Sequence, residues 1–350
     1  MQRSSRLFAY LVPYIFFQTL QYPFAKDGLR FASPLVLMAL RYSIAALVTF
    51  SLTRSFRPIL NRDTLLLSIF TAFSTVFWIF GLELVSPAQS AVLSYTMPLL
   101  VIPLSTFILK ERAAGLAWIG AAVGFSGVLV YGLGLTNSGG SVVGGLLTVA
   151  NALFWGLFTI SYRKVRNQDP TLTVATQFLI CALFFWLVAP IGFTATINSE
   201  FVLDLVYISI MNGVVGFLLW NAMVRMETVV RLTPLIFAVP AATVVVQAVM
   251  TGIVPGWSSM AGVGIMFLGI FISRTRSSGT GSGKENLAGS NGRLQIRCWR
   301  KILSFHSLAN HNSFIVNHTL DLNPHMWTHI PPAAHSNFHL ARAGQALGNG

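Results

Sequence analysis

The chain is 350 residues long, 54% hydrophobic and only 9% charged, where a soluble domain carries about 25% charged residues. No water-soluble fold of this size has the interior to hide so much apolar surface, so a soluble enzyme or soluble binding domain is excluded; the 27 Phe and 8 Trp suit lipid-facing and interfacial positions. The net charge of +13 points to nucleic acid or to membrane topology, and two cysteines give no disulfide framework.

A helix of about 20 apolar residues, rising 1.5 Å per residue, crosses about 30 Å of hydrocarbon. Ten segments meet that length, near residues 7–24, 32–52, 64–82, 88–109, 114–134, 141–162, 171–193, 201–223, 228–250 and 257–273. The first follows Arg3 and Arg6, and no small-residue cleavage site follows it. It therefore reads as a retained span, not a signal peptide. Tyr14 and Gln18 lie near its middle.

Arg41 lies near the centre of the second span, where a charge costs at least ~2.5 kcal/mol on insertion scales. It must face protein or water. One reading makes it an anchor for a substrate carboxylate or phosphate; the other makes it a structural cation held by carbonyls or by an acid such as Glu83. Trp78, near the end of the third span, and Trp220, near the end of the eighth, read as membrane-interface anchors ahead of cavity walls. In the fourth span Tyr95 stands one turn before Pro98, whose ring removes a helical hydrogen bond and frees a carbonyl that a cavity can use.

Lys110-Glu111-Arg112 then interrupts two apolar runs and reads as a turn at a membrane face. Gly120 and Gly124 in the fifth span form a small-xxx-small pattern that permits close helix contact. Gly124-Phe125-Ser126-Gly127 also spells GxSG, but a serine nucleophile needs a base and no histidine precedes His306. Helix packing is the better reading. Asn151 and Trp155 lie mid-way along the sixth span, and Asn212 along the eighth, which ends near Trp220. Phe237 stands one turn before Pro240 in the ninth.

Beyond Arg276 the sequence "SSGTGSGKENLAGSNG" reads as a flexible linker, followed by a polar tail holding all 7 His. His325/His329 and His335/His339 have the i,i+4 spacing of a zinc site, but Pro324, Pro331 and Pro332 argue against the helix it needs. No metal site is assigned.

Charge placement tests the count of ten. With a cytoplasmic N-terminus, one set of loops holds Arg54, Arg57, Arg62; Lys110, Arg112; Arg163, Lys164, Arg166; Arg225, Arg231; and Arg274, Arg276. The opposite loops hold only Lys26 and Arg30. This is the positive-inside pattern, and it accounts for the net charge without nucleic acid.

The sequence also repeats itself. Pro98, Gly120 and Gly127 return as Pro240, Gly262 and Gly269, each shifted by 142 residues (240 − 98). The same shift carries Trp78 onto Trp220, Asp27 onto Asp169, and Tyr95 onto the aromatic Phe237. One offset without gaps indicates duplication of a five-helix unit. Five is odd, so the copies are inverted, an arrangement that builds transporters with a midplane site between the halves.

"PFAKDGLRFASPLVLMALRYSIAALV" and "GLELVSPAQSAVLSYTMPLLVIPLSTFILKERAAGLAWIGAAVGFSGVLVYG" resemble an EamA repeat of the drug/metabolite transporter superfamily. "GGLLTVANALFWGLFTISYRKV" to "GVGIMFLGIFISR" is a more divergent second copy, with Ile253 where Glu111 would map. The resemblance spans roughly 7–274. It implies an all-α polytopic membrane protein of ten transmembrane helices in two inverted five-helix repeats, with both termini cytoplasmic in the plasma (inner) membrane and a central cavity.

The expected organisation is a first repeat at 1–134, a second at 135–276 and a disordered tail at 277–350. The expected function is secondary transport, exporting small organic metabolites such as amino acids or related amphipathic compounds, by alternating access. A membrane-integral enzyme or lipid-handling protein is the alternative, weakened by the lack of core histidines and of clustered intramembrane acids. The expected binding set is Tyr14, Gln18, Tyr95, Asn151, Trp155, Asn212 and Phe237. No cofactor is expected, and no nucleotide-binding P-loop occurs. The expected partners are a small metabolite and the bilayer, with room for a homodimer.

Overall fold

The structure, a computed structural model, describes residues 2–53, 55–108, 115–135, 140–165, 167–226, 236, 238–252 and 256–274. The Lys110-Glu111-Arg112 turn, Phe237, Ile253 and the histidine tail lie outside the described residues.

The elements run α1 Gln2–Gly28, α2 Pro34–Leu52, α3 Arg62–Leu84, α4 Pro87–Ser94, α5 Met97–Ile108, α6 Gly115–Leu135 and α7 Val142–Lys164. They continue with α8 Pro170–Val188, α9 Ser199–Val206, a π-helix Tyr207–Gly216, α10 Phe217–Met226, α11 Ala238–Thr251 and α12 Trp257–Arg274. Among the described residues the sole strand-like feature is one bridge between Ala32 and Ala195. A bilayer offers no water to unpaired backbone, so helices must satisfy their own polar groups. Side chains close the ends: Asn61 accepts from the Thr64 amide at 2.9 Å, Asp169 from Leu172 at 2.7 Å and Asn198 from Phe201 at 2.7 Å. Ser86 and Gln89 form a reciprocal capping box at the start of α4. Proline opens α2, α4 and α8, where its missing N–H has no helical partner to lose.

Six helical stretches are long and apolar enough to cross a membrane: 34–52, 62–84, 87–108, 142–162, 170–188 and 199–226. With α1 and the shorter apolar helices α6, α11 and α12, they make ten spans. Leu47, Leu187 and Val249 lie outward with more than two thirds of their surface bare, as lipid-facing side chains do. The protein is an integral membrane protein.

Two spans depart from a continuous α-helix. The fourth breaks at Tyr95-Thr96 between α4 and α5, because Pro98 has no N–H to give the Ser94 carbonyl. Thr96 turns the chain instead, its hydroxyl donating to the Leu93 carbonyl at 2.8 Å. The eighth passes through the π-helix, a geometry that widens the helix and concentrates at functional sites.

The inverted duplication is visible in the crossing of α6 and α12. A side chain on Gly262 would come within 2.5 Å of the Tyr131 amide and 2.8 Å of the Gly127 carbonyl. One on Gly127 would come within 2.7 Å of the Gly262 carbonyl, and one on Gly269 would strike Gly120 and Gly124 backbone. Backbone lies against backbone, so only glycine fits. The pairs are related by the repeat: Gly127 with Gly262 maps onto Gly269 with Gly120. A pseudo-two-fold relating the halves passes between them.

Candidate substrate cavity

About 620 Å³ of empty space, including the part open to solvent, lies between Tyr14, Gln18 and Tyr22 of α1, Arg41 and Tyr42 of α2, Trp78 of α3, and the broken fourth span. Asn151 and Trp155 of α7, Phe217 of α10 and Ile236 complete the wall.

Arg41 is 4% exposed, and its guanidinium donates from Nη2 to Asn212 Oδ1 at 2.6 Å. Asn212 in turn donates to Gln18 Oε1 at 2.9 Å. The π-helix brings Asn212 to this position, so the first and second repeats are joined through Arg41–Asn212–Gln18. The guanidinium carbon also lies 5.3 Å from the Trp78 ring centroid and 5.5 Å from that of Tyr42, cation–π distances. No carboxylate among the described residues pairs with Arg41. Glu83 does not serve: it is exposed near the end of α3, away from the buried Arg41, and its backbone carbonyl, with those of Leu82 and Val85, takes the Lys26 ammonium at 2.8 to 3.0 Å. Arg41 Nε and Trp78 Nε1 are buried donors without a partner, and both residues line the cavity. Unpaired buried donors beside an uncompensated cation are costly. An anionic group in the cavity would relieve both.

The opposite wall is polar and uncharged. Tyr14, Tyr22 and Tyr95 line it together with Gln18, Gln21 and Ser94. Asn151 donates to Ser94 Oγ at 2.9 Å and accepts from Ser74 Oγ at 2.7 Å. Ser94 is the residue whose carbonyl Pro98 leaves free, so the proline break and this network coincide.

Of the expected residues, Tyr14, Gln18, Arg41, Tyr95, Asn151 and Trp155 line the cavity, and Trp78 does too. Asn212 stands behind Arg41, fully buried. Phe237 lies outside the described residues, though its neighbour Ile236 is in the wall. The expectation of interface anchoring for Trp78 and Trp220 is overturned: they are 6% and 1% exposed. Trp78 meets Tyr22 edge-on at 6.0 Å, and Trp220 stacks on Tyr14 at 5.7 Å. Aromatic partners inside the bundle hold these rings where solvent-edge anchoring would otherwise draw them outward. Gln21, Tyr22, Tyr42, Ser74, Ser94 and Phe217 were not expected. Helical spacing was the available signal, since Gln21 follows Gln18 and Tyr22 follows Gln18 by one turn.

Comparison with known proteins bears on what such a cavity serves. The model of the EamA-like transporter family matches twice, at residues 8–133 and 142–275. An uncharacterized transporter from the sor 3' region of Acidianus ambivalens is 43% identical over 259 residues, covering 74% of this chain and 99% of the relative. A protein of Salmonella typhimurium described as a probable amino-acid metabolite efflux pump is 25% identical over 78% of this chain and 95% of its own. One crystal structure superposes with a TM-score of 0.60, covering 77% of this chain and 97% of its own at 20% identity. That last likeness concerns the fold alone.

Proposed function

The chain belongs to the EamA-like transporter family, and from that premise we propose that it is a secondary transporter exporting small organic metabolites that carry a carboxylate, amino acids or related amphipathic compounds among them. The cargo sits between Arg41 and the tyrosine-rich wall, and the two inverted repeats give it alternating access to the two sides of the membrane. The orientation is that of the positive-inside pattern, both termini in the cytoplasm of a plasma (inner) membrane.

The observation that carries this reading is the uncompensated cation. Arg41 is buried in the cavity wall with a spare donor beside a second spare donor on Trp78. A carboxylate accepts from both, while the Tyr14–Tyr95 and Tyr22 side offers ring faces to an ammonium or apolar remainder. The relative described as an amino-acid metabolite efflux pump supports the cargo class. No further charge is needed for a zwitterion.

The experiment is counterflow in proteoliposomes with a panel of amino acids, other carboxylates and matched amines. Saturable movement of carboxylate-bearing members, absent from liposomes without protein, supports the reading. Movement confined to cations, or turnover without movement, contradicts it.

A further inference from the structure

Arg41 brings a full positive charge to the cavity wall, and the groups that hold it there are neutral. Its Nη2 donates to Asn212 Oδ1 at 2.6 Å, and its Nη1 lies 3.8 Å from Met38 Sδ. The Trp78 and Tyr42 rings stand 5.3 and 5.5 Å away. The shortest of these contacts is the one that reaches into the second repeat, to Asn212.

An amide at this position meets a specific demand. A guanidinium has donors only, so its neighbour must present oxygen. Asn212 does so with Oδ1, which leaves Nδ2 to donate to Gln18 Oε1 at 2.9 Å. Gln18 Oε1 also accepts from Gln21 Nε2. Both amides are fixed in orientation by these bonds, and the relay from Arg41 ends on an amide oxygen with no carboxylate in it. The π-helix makes room for the arrangement. A side-chain carbon on Gly213 would stand 3.6 Å from Ala45 of α2, one turn beyond Arg41, and one on Gly216 would stand 3.6 Å from Gln18 Nε2. Asn212 and Gln18 are buried, so bulk water screens neither. An aspartate has the shape of Asn212 and would relieve the cost of an unpaired buried cation. It would also cancel the attraction for an anionic group.

We propose that Asn212, backed by Gln18, sets the charge selectivity of the cavity: the amide positions Arg41 by hydrogen bonding and leaves its positive charge to be balanced by the cargo. Asn212 is a positioning residue, acting through Arg41 and standing behind it, outside the cavity wall. This role rests on Arg41 being the carboxylate anchor, and it explains why that cation stays available.

The test measures affinity ratios by calorimetry on the full chain in nanodiscs, with leucine against isoamylamine and phenylalanine against phenethylamine. The wild type is expected to favour the amino acid by at least about tenfold. Asn212→Asp, which keeps the shape and neutralises Arg41, is expected to bring the two affinities together or to invert their order. Asn212→Ser, a smaller neutral acceptor, is expected to weaken amino-acid binding and keep the preference. A purely structural Asn212 would lower the binding of both members alike and leave the ratio unmoved in Asn212→Asp. A ratio that keeps its wild-type value in folded Asn212→Asp overturns the role of Asn212 and leaves Arg41 as the anchor. Loss of the preference in Asn212→Ser overturns it too, because neutrality is then not what matters. A wild type without preference overturns the carboxylate reading and this role with it. Should Asn212→Asp fail to insert, Gln18→Glu carries the same test: its carboxylate accepts from the same two amides and brings negative charge to the relay. The ratio is then expected to fall several-fold, and an unchanged ratio overturns the role.

Discussion

The α6–α12 crossing and the central cavity descend from the same duplication, yet one keeps the symmetry and the other discards it. In the crossing, Gly120, Gly127, Gly262 and Gly269 retain identity at the 142-residue shift, because backbone contact tolerates no side chain at either copy. In the cavity, the counterpart of Arg41 (41 + 142) is Leu183, 64% exposed toward lipid. The counterpart of Gln18 is Ile160 and that of Asn212 is Phe70. Duplication supplied the frame, and divergence placed one cation off the pseudo-axis.

Substitutions that ignore this distinction should fall hardest on the crossing. Gly269→Val forces a branched side chain into Gly120 and Gly124 backbone and is expected to cost about 3 kcal/mol or more, at the upper end for overpacking. Thermal unfolding of the purified protein in detergent should record it as the largest loss in a glycine series. Gly264→Ala, with nothing within 4 Å of the added carbon, should unfold like the wild type.

In the cavity the loss should appear in binding. A hydrogen bond to a charged group is worth about 1.5–3 kcal/mol, so Arg41→Gln is expected to raise the apparent KM for the carboxylate cargo roughly ten- to hundredfold at normal membrane levels. Leu183→Gln, its counterpart in the other repeat, should leave KM unchanged. Equal effects at the two positions would erase the asymmetry.

Smaller effects separate the two tryptophans. Trp78→Leu removes a ring over Arg41 and a spare donor in the wall; with a cation–π contact worth about 0.5–2 kcal/mol, KM should rise several-fold. Trp220→Leu, behind Tyr14 and outside the wall, should lower the unfolding temperature and leave KM near the wild-type value. Smallest of all, Asn61→Ala touches neither region and removes only the α3 cap, for about 1 kcal/mol of stability.

The frame was more legible in the sequence than the site. Length, hydropathy and arginine placement are local signals, and each span spends some twenty residues repeating them. Pro98 announced a break because proline acts through its own backbone. Trp78 and Trp220 were misread because position along a span says nothing of azimuth: both sit near helix ends, as interface anchors do, and only packing against Tyr22 and Tyr14 turns them inward. Asn212 was read as a polar mid-span residue, but its bond to Arg41 depends on the π-helix, for which the sequence carries no plain signal.

The decisive measurement is the carboxylate preference of the cavity. Calorimetric binding to nanodisc-embedded protein would compare each amino acid with the amine that lacks its carboxylate, in the wild type and in Arg41→Gln. A ratio of affinities within one protein cancels any loss of folded material. The wild type is expected to prefer the carboxylate-bearing partner by at least tenfold, and Arg41→Gln to bind the two alike. A preference that survives intact in Arg41→Gln would contradict the assignment of Arg41 as the carboxylate anchor.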